Sequence, residues 1–219
     1  MHTVGLIVAA GLSRRMGAFK PLMPVAGKPL LVHTVGSMLA GGAQSVVVVI
    51  GHRGQEVAAA LQGFAPALLT LVENPHYATT DMLASVQIGL QAMPPCGAFW
   101  LLPGDMPAVS PATFQALSAA LQGSPALLAF PTVDGYRKHP PLVRTACRQA
   151  IGQYGGSEGL RGLWQRFAGR IAEVPVQDPG CLMDADTPED LAALTAYMHS
   201  QAALRNDPVA YQTGKVDEA

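Results

Sequence analysis

Residues 6–31, "LIVAAGLSRRMGAFKPLMPVAGKPLL", place Arg14, Arg15, Lys20 and Lys28 within 17 positions of Gly11, directly after a short apolar run. Free N–H groups in a glycine turn donate to phosphate oxygens, and arginine and lysine add charge-assisted contacts that strengthen away from water. The combination therefore points to triphosphate binding. Two known phosphate loops fail on spacing. Five residues separate Gly11 from Gly17, and Ala18 follows where a Walker loop needs Lys; Gly11 also lacks the partner two positions on that a dinucleotide loop requires. What remains is A-A-G-x-S-x-R-M-G-x-x-K-P-L, from Ala9, Ala10 and Gly11 through Arg15 and Lys20 to Leu22. Small residues at 9–11 let the backbone approach a flat base and sugar. Arg14 reads equally as a solvated loop charge.

These residues need a scaffold that presents loops at one end. Apolar runs at 4–9, 46–50, 68–72, 98–102, 127–130 and 171–176 read as strands. Between them lie helical patterns: Leu31, Val35, Met38 and Leu39; Leu83, Val86 and Leu90; Phe114, Leu117 and Leu121; and Leu160, Leu163, Trp164 and Phe167. Near-continuous apolar strands alternating with amphipathic helices predict a doubly wound, mostly parallel α/β sheet, in which ligands sit beyond the C-terminal strand ends. Asp105, in "LLPGDMP", falls just past such a strand. Asp134-Gly135 signals a hairpin, and "PTVDGYRKHPP" reads as an excursion over the site. Thr187, Pro188 and Asp190 read as N-cap, N1 and N3 of a last helix. A single domain is expected over 1–204, with residues 205–219 as a tail.

Bulk properties narrow the classes. The chain has 219 residues, 49% hydrophobic and 13% charged, with a net charge of −1, so no overall field attracts nucleic acid or an anionic membrane. Mean hydropathy is +0.25, yet no apolar stretch approaches the roughly 20 residues of a membrane span. Neither a nucleic-acid nor a membrane partner is expected. Cys96, Cys147 and Cys181 are odd in number and widely spaced, without a CxxC pair. They form neither a disulfide framework nor a zinc motif, which favours a reducing, cytoplasmic setting.

The loop signature resembles the molybdopterin nucleotidyltransferases, MobA-like enzymes with a glycosyltransferase-A-like, Rossmann-like fold, and is nearest to their molybdenum cofactor cytidylyltransferase branch. The resemblance implies a magnesium-dependent transfer of a nucleotidyl group from a nucleoside triphosphate to a phosphate-bearing acceptor. It assigns Asp105 to magnesium and the nucleotide. It assigns Asp186 and Asp184, in "DADTP", to the rest of the magnesium shell. Through "TTDMLASVQIGL" it implies Ser85 at the base, with Asp81 beside it, although Met82 and Leu83 stand where relatives carry glycine and serine. Helix-surface placement is the plain alternative for Ser85. "GYRKHPPLV" resembles G-x-x-G-H-P with Lys138 in place of glycine, so His139 either touches the acceptor or fixes its loop. "GGSEGLRGLW" turns Arg161 toward the acceptor or leaves it on the surface.

Ala9-Ala10-Gly11 matches the cytidylyltransferase A-A-G rather than the guanylyltransferase A-G-G, and the extra Cβ at Ala10 favours the smaller pyrimidine. CTP with molybdopterin is the implied pair, and a molybdoenzyme or its chaperone the implied recipient. Alternatives are GTP, a sugar phosphate, alcohol phosphate or phospholactate-type acceptor, and a nucleotide-binding regulatory module without catalysis.

Overall fold

The computed structural model describes residues 1–13 and 16–205; the expected tail, beyond Arg205, and Arg14 and Arg15 lie outside the described residues. The chain order is β1 (Thr3–Val8), β2 (Pro24–Val25), β3 (Lys28–Pro29), α1 (Leu30–Ala40), β4 (Ser45–Ile50), α2 (Gly54–Ala60) and β5 (Leu69–Glu73). It continues with α3 (Met82–Ala92), β6 (Ala98–Pro103), α4 (Pro111–Gln122), β7 (Leu128–Val133), β8 (Tyr136–Arg137) and β9 (Leu142–Arg144). Then follow α5 (Arg148–Gly152), α6 (Gly159–Gln165), β10 (Ile171–Pro175) and α7 (Pro188–Arg205).

The main sheet runs β10-β7-β9-β6-β1-β4-β5, with β8 paired to β7. Its central strands alternate between two apolar faces, as a strand's period of two requires. Ile7, Val48, Trp100 and Leu102 pack under α1 and α4 with Val35, Met38, Phe114 and Leu117. Leu6, Val47, Val49, Phe99 and Leu101 face Leu83, Val86, Ile151 and Leu163 of α3, α5 and α6. Both faces are covered, which is why the strands read as continuous apolar runs. Among the described residues no helix is long and apolar enough to cross a membrane.

The sheet is mostly parallel but mixed, because β9 lies antiparallel between β6 and β7. The "PTVDGYRKHPP" segment therefore does more than arch over the site. Asp134 (φ 51°) and Gly135 (φ 78°) make the expected two-residue turn from β7 to β8. The chain then passes a cis His139–Pro140 bond and re-enters the sheet as β9. Arg144 anchors that entry: its guanidinium donates to the Leu121, Ser124 and Ala126 carbonyls at 2.7, 3.0 and 2.8 Å, around the C-terminus of α4.

The capping of α7 is as the spacing predicts. Asp190 Oδ2 accepts from the Thr187 backbone N–H at 2.8 Å, and Thr187 Oγ1 accepts from the Asp190 N–H at 3.2 Å. Thr187→Ala is expected to lower stability by about 1 kcal/mol, the usual effect of losing a hydroxyl cap; urea unfolding checks it, and an unchanged midpoint would refute the cap.

Candidate active site

Strand order reverses at β1, which has β4 on one side and β6 on the other. Ligand crevices open beyond the C-terminal strand ends at such a point. Here the crevice is a cleft of about 230 Å³ whose walls include Ala9, Ala10, Gly11, Ser13, Lys20, Tyr77, Asp81, Ser85, Gly104 and Asp105. All of the described residues expected to bind nucleotide thus gather in one place. Arg15 lies outside the described residues.

The loop after β1 is shaped by its own hydrogen bonds. Ala9 donates to the Val49 carbonyl at 2.8 Å, extending the β1–β4 pairing by one residue. Ser13, at φ 52°, accepts the Lys20 N–H on its hydroxyl at 3.1 Å and so draws Lys20 back across the turn. The serine of the signature thus sets the position of the lysine, a role its spacing did not reveal. A Cβ on Gly11 would meet no described atom within 4 Å. The packing around it leaves that glycine unexplained, and the space it opens faces the cleft.

Lys20 is the centre of charge. Its side chain is only 11% exposed, and Nζ donates to Asp105 Oδ2 at 3.0 Å and to Asp186 Oδ1. Burial opposes its charge, but the hydrogen bonds and charges of Asp186 and Asp105 outweigh burial and raise its pKa above the ordinary lysine value. The ammonium is held charged.

Asp105 is placed by backbone contacts. Gly104 donates to the Val8 carbonyl at 2.9 Å, and Thr34 Oγ1 donates to the Gly104 carbonyl at 2.9 Å. A Cβ at 104 would lie 2.9 Å from that of Ala9. Asp186 is brought from the far end of the chain by a turn at Pro179–Leu182. Buried Asp178 fixes that turn, accepting from Gly180 N at 3.0 Å, Ser110 N at 2.8 Å and Thr113 Oγ1 at 2.6 Å. Gly180 passes so close that a Cβ there would sit 2.0 Å from the Ala108 carbonyl oxygen. Beyond the turn, Ala185 N donates to the Asp105 carbonyl at 3.3 Å, joining the two acidic segments.

Two carboxylates thus converge on one point, with oxygen donors only. This suits a hard cation such as magnesium, which commonly takes one or two carboxylates and fills its shell with water and phosphate. Among the described residues no three acidic, histidine or cysteine side chains gather closely enough to hold a metal by themselves. Asp184 is largely exposed, yet partial desolvation of its carboxyl, and then the charges of Asp105 and Asp186, raise its pKa above the ordinary aspartate value.

The remaining expectations divide. Ser85 is not a helix-surface residue: it is 4% exposed, and its hydroxyl meets Asn74 at the cleft wall. Asp81 stands at the rim and also caps α3, accepting from Ala84 N at 3.0 Å. His139 Nδ1 approaches the Leu101 carbonyl at 3.4 Å, a contact that ties its loop to β6. Burial pushes its pKa below the usual imidazole value, against weaker opposition from that carbonyl and the Asp105 charge. Arg161 is exposed on α6 and is not among the residues that line the cleft. Two groups had no sequence signal. Asn74 is one. The other is the aromatic group of His52 between Phe19 (5.3 Å) and Tyr77 (5.9 Å), assembled from three loops.

Comparison with known proteins agrees with this architecture. The family model of the MobA-like NTP transferase domain matches residues 5–174. The CMP-5'-(3-aminopropyl)phosphonate synthase of Streptomyces rubellomurinus is 36% identical over 65% of this chain, though the match spans only 22% of that protein's length. The molybdenum cofactor cytidylyltransferase of Escherichia coli is 30% identical over 84% of this chain and 91% of its own. Among solved structures, a nucleotidyl transferase from Methanothermobacter thermautotroptrophicus superposes with a TM-score of 0.77 at 22% identity, covering 94% of this chain and 99% of that one. With the phosphate-loop signature, the mixed sheet and the match across most of the chain in hand, the chain belongs to the MobA-like NTP transferase family of nucleotidyltransferases.

Proposed function

We propose that the chain transfers CMP from CTP to a phosphate-bearing small molecule, with molybdopterin in its molybdenum-loaded form as the first candidate acceptor. The observation that carries this reading is the convergence of Lys20, Asp105 and Asp186 at the cleft lined by Ala9, Ala10 and Gly11. Nucleotidyl transfer brings two anions together, so the site must neutralise charge as much as position it.

In this reading Gly11 and the loop amides hold the triphosphate beside Lys20, and Arg15 adds a second cation. An oxygen of the acceptor's phosphate attacks the α-phosphorus, the bond to the bridging oxygen breaks, and pyrophosphate leaves. A phosphate monoester is already ionised near neutral pH, so no side chain need remove a proton, and the half-buried His139 serves to fix its loop. Asp105 and Asp186, with Asp184 in outer support, would hold a magnesium ion, which when bound supplies further positive charge to the phosphates. Lys20 supplies a fixed charge that persists across the working pH range.

The base assignment rests on Ala10, which lines the cleft and whose Cβ, where the guanylyltransferase signature has glycine, favours the smaller pyrimidine; it is supported by the names of the two relatives, one a cytidylyltransferase and one a CMP-phosphonate synthase. The latter, at 36% identity, favours a small phosphonate as a second acceptor class. Pyrophosphate release measured with CTP, GTP and UTP against molybdopterin, a sugar phosphate, an alcohol phosphate and an alkylphosphonate separates these readings. Release with CTP and molybdopterin above all other pairs is expected. Activity confined to GTP overturns the base assignment, and activity confined to another acceptor overturns the choice of molybdopterin.

A further inference from the structure

We propose that Asn74 is a positioning residue that makes Ser85 a hydrogen-bond donor toward the nucleobase. The inference rests on the nucleotide-site reading above and concerns the polarity of one hydroxyl.

Asn74 follows β5 and is fully buried. Its backbone N–H donates to the Ile50 carbonyl at 2.8 Å, so its place is set by the β4–β5 pairing. Its side chain then ties the loop to α3. Oδ1 accepts the backbone N–H of His76 at 3.0 Å, and because a backbone N–H can only donate, this contact fixes which end of the amide is oxygen. Nδ2 must therefore donate, and it does so to Thr80 Oγ1 and Ser85 Oγ, each at 3.0 Å. Thr80 passes its own hydrogen to the His76 carbonyl at 2.9 Å.

Counting hydrogens closes the network except at one atom. Both amide hydrogens of Asn74 are engaged, and so is the hydroxyl hydrogen of Thr80. Ser85 Oγ receives a hydrogen from Asn74, while its own hydrogen meets no acceptor among the described residues. Ser85 as a whole is 4% exposed and lies in the cleft wall. Its hydroxyl is held with a lone pair engaged and a hydrogen to offer, so it complements an acceptor on the ligand. Cytosine presents two on one edge, its N3 and O2.

The test reverses this polarity. Asn74→Asp keeps the shape but removes both donors, so Ser85 must give its hydrogen to the carboxylate and none is left for the base. Expected is a rise of about tenfold in KM and directly measured Kd for CTP, as loss of one hydrogen bond of about 1.4 kcal/mol allows, with kcat within about twofold. Ser85→Ala should give the same rise. Asn74→Ala should raise KM less than Asn74→Asp, because the freed hydroxyl can still turn toward the base. The double variant Asn74→Ala/Ser85→Ala should be no worse than Ser85→Ala alone, since Asn74 acts through Ser85.

Additive effects in the double variant, or a fall in kcat matching the rise in KM, would show that Asn74 merely holds the loop and would overturn the proposal. If Asn74→Asp does not fold, Asn74→Ala decides in the same assay: an unchanged KM overturns the proposal. A Ser85→Ala enzyme with unaltered KM, alongside a strong effect at Lys20, removes the base contact and leaves the nucleotide site standing. No effect at either position removes the nucleotide site itself.

Discussion

Lys20→Met is expected to lower the rate of pyrophosphate release by about 10²-fold or more, the usual consequence of losing one charge contact made in the transition state. Lys20 is the described cation that meets both acidic segments, and its ammonium is kept protonated by the two carboxylates it contacts. Methionine fills much of the same volume as the lysine stem, so the loop remains packed while the charge is lost. Asp105 and Asp186 then face each other without their shared counter-charge and repel the incoming triphosphate as well. Both kcat and kcat/KM should fall, because the charge acts on phosphates in the ground state and more strongly as charge shifts to the leaving pyrophosphate. Steady-state kinetics with unchanged circular dichroism checks this, and a rate within tenfold of the parent would remove Lys20 from the chemistry.

Asp105→Asn should cost a comparable factor, about 10²-fold or more, with an added signature in the metal dependence. The loop that carries Asp105 is held through backbone atoms, by Thr34 and Val8 on Gly104 and by Ala185 on the Asp105 carbonyl. An amide in place of the carboxylate leaves those bonds intact, so the variant should fold and melt close to the parent. What it loses is a negative oxygen beside Lys20 and, in the role proposed above, a ligand for a hard cation. The magnesium concentration at half-maximal rate should rise accordingly. A variant with parental rate and parental magnesium dependence would show that Asp105 is only a loop residue.

Much of the scaffold was legible because burial on both faces writes itself into composition. The six apolar runs correspond to β1, β4, β5, β6, β7 and β10, and the capping box at Thr187 marks the start of α7. Strand β9 was not legible: three residues after two prolines carry no periodicity, and Arg144 holds them through contacts with α4 that spacing does not encode. The same holds at the site. Asp105 is readable from its place after a buried strand. Its meeting with Lys20 and Asp186 depends on a turn set by Asp178, and the Lys20–Asp186 contact spans 166 positions. Asn74 looked like an ordinary residue before a proline, and only the closed set of hydrogen bonds around it reveals what it does. Asp81 shows the reverse case, a residue singled out for a ligand that also caps a helix.

The product itself gives the most direct measurement. The protein, CTP, magnesium and molybdenum-loaded molybdopterin are incubated together, pyrophosphate is quantified, and the acceptor is weighed by mass spectrometry, with GTP in a parallel reaction. Expected are equimolar pyrophosphate and an acceptor heavier by one cytidylyl group, with CTP consumed well ahead of GTP. A guanylyl adduct alone, or bound CTP with neither pyrophosphate nor adduct from any phosphate-bearing acceptor, would contradict cytidylyl transfer.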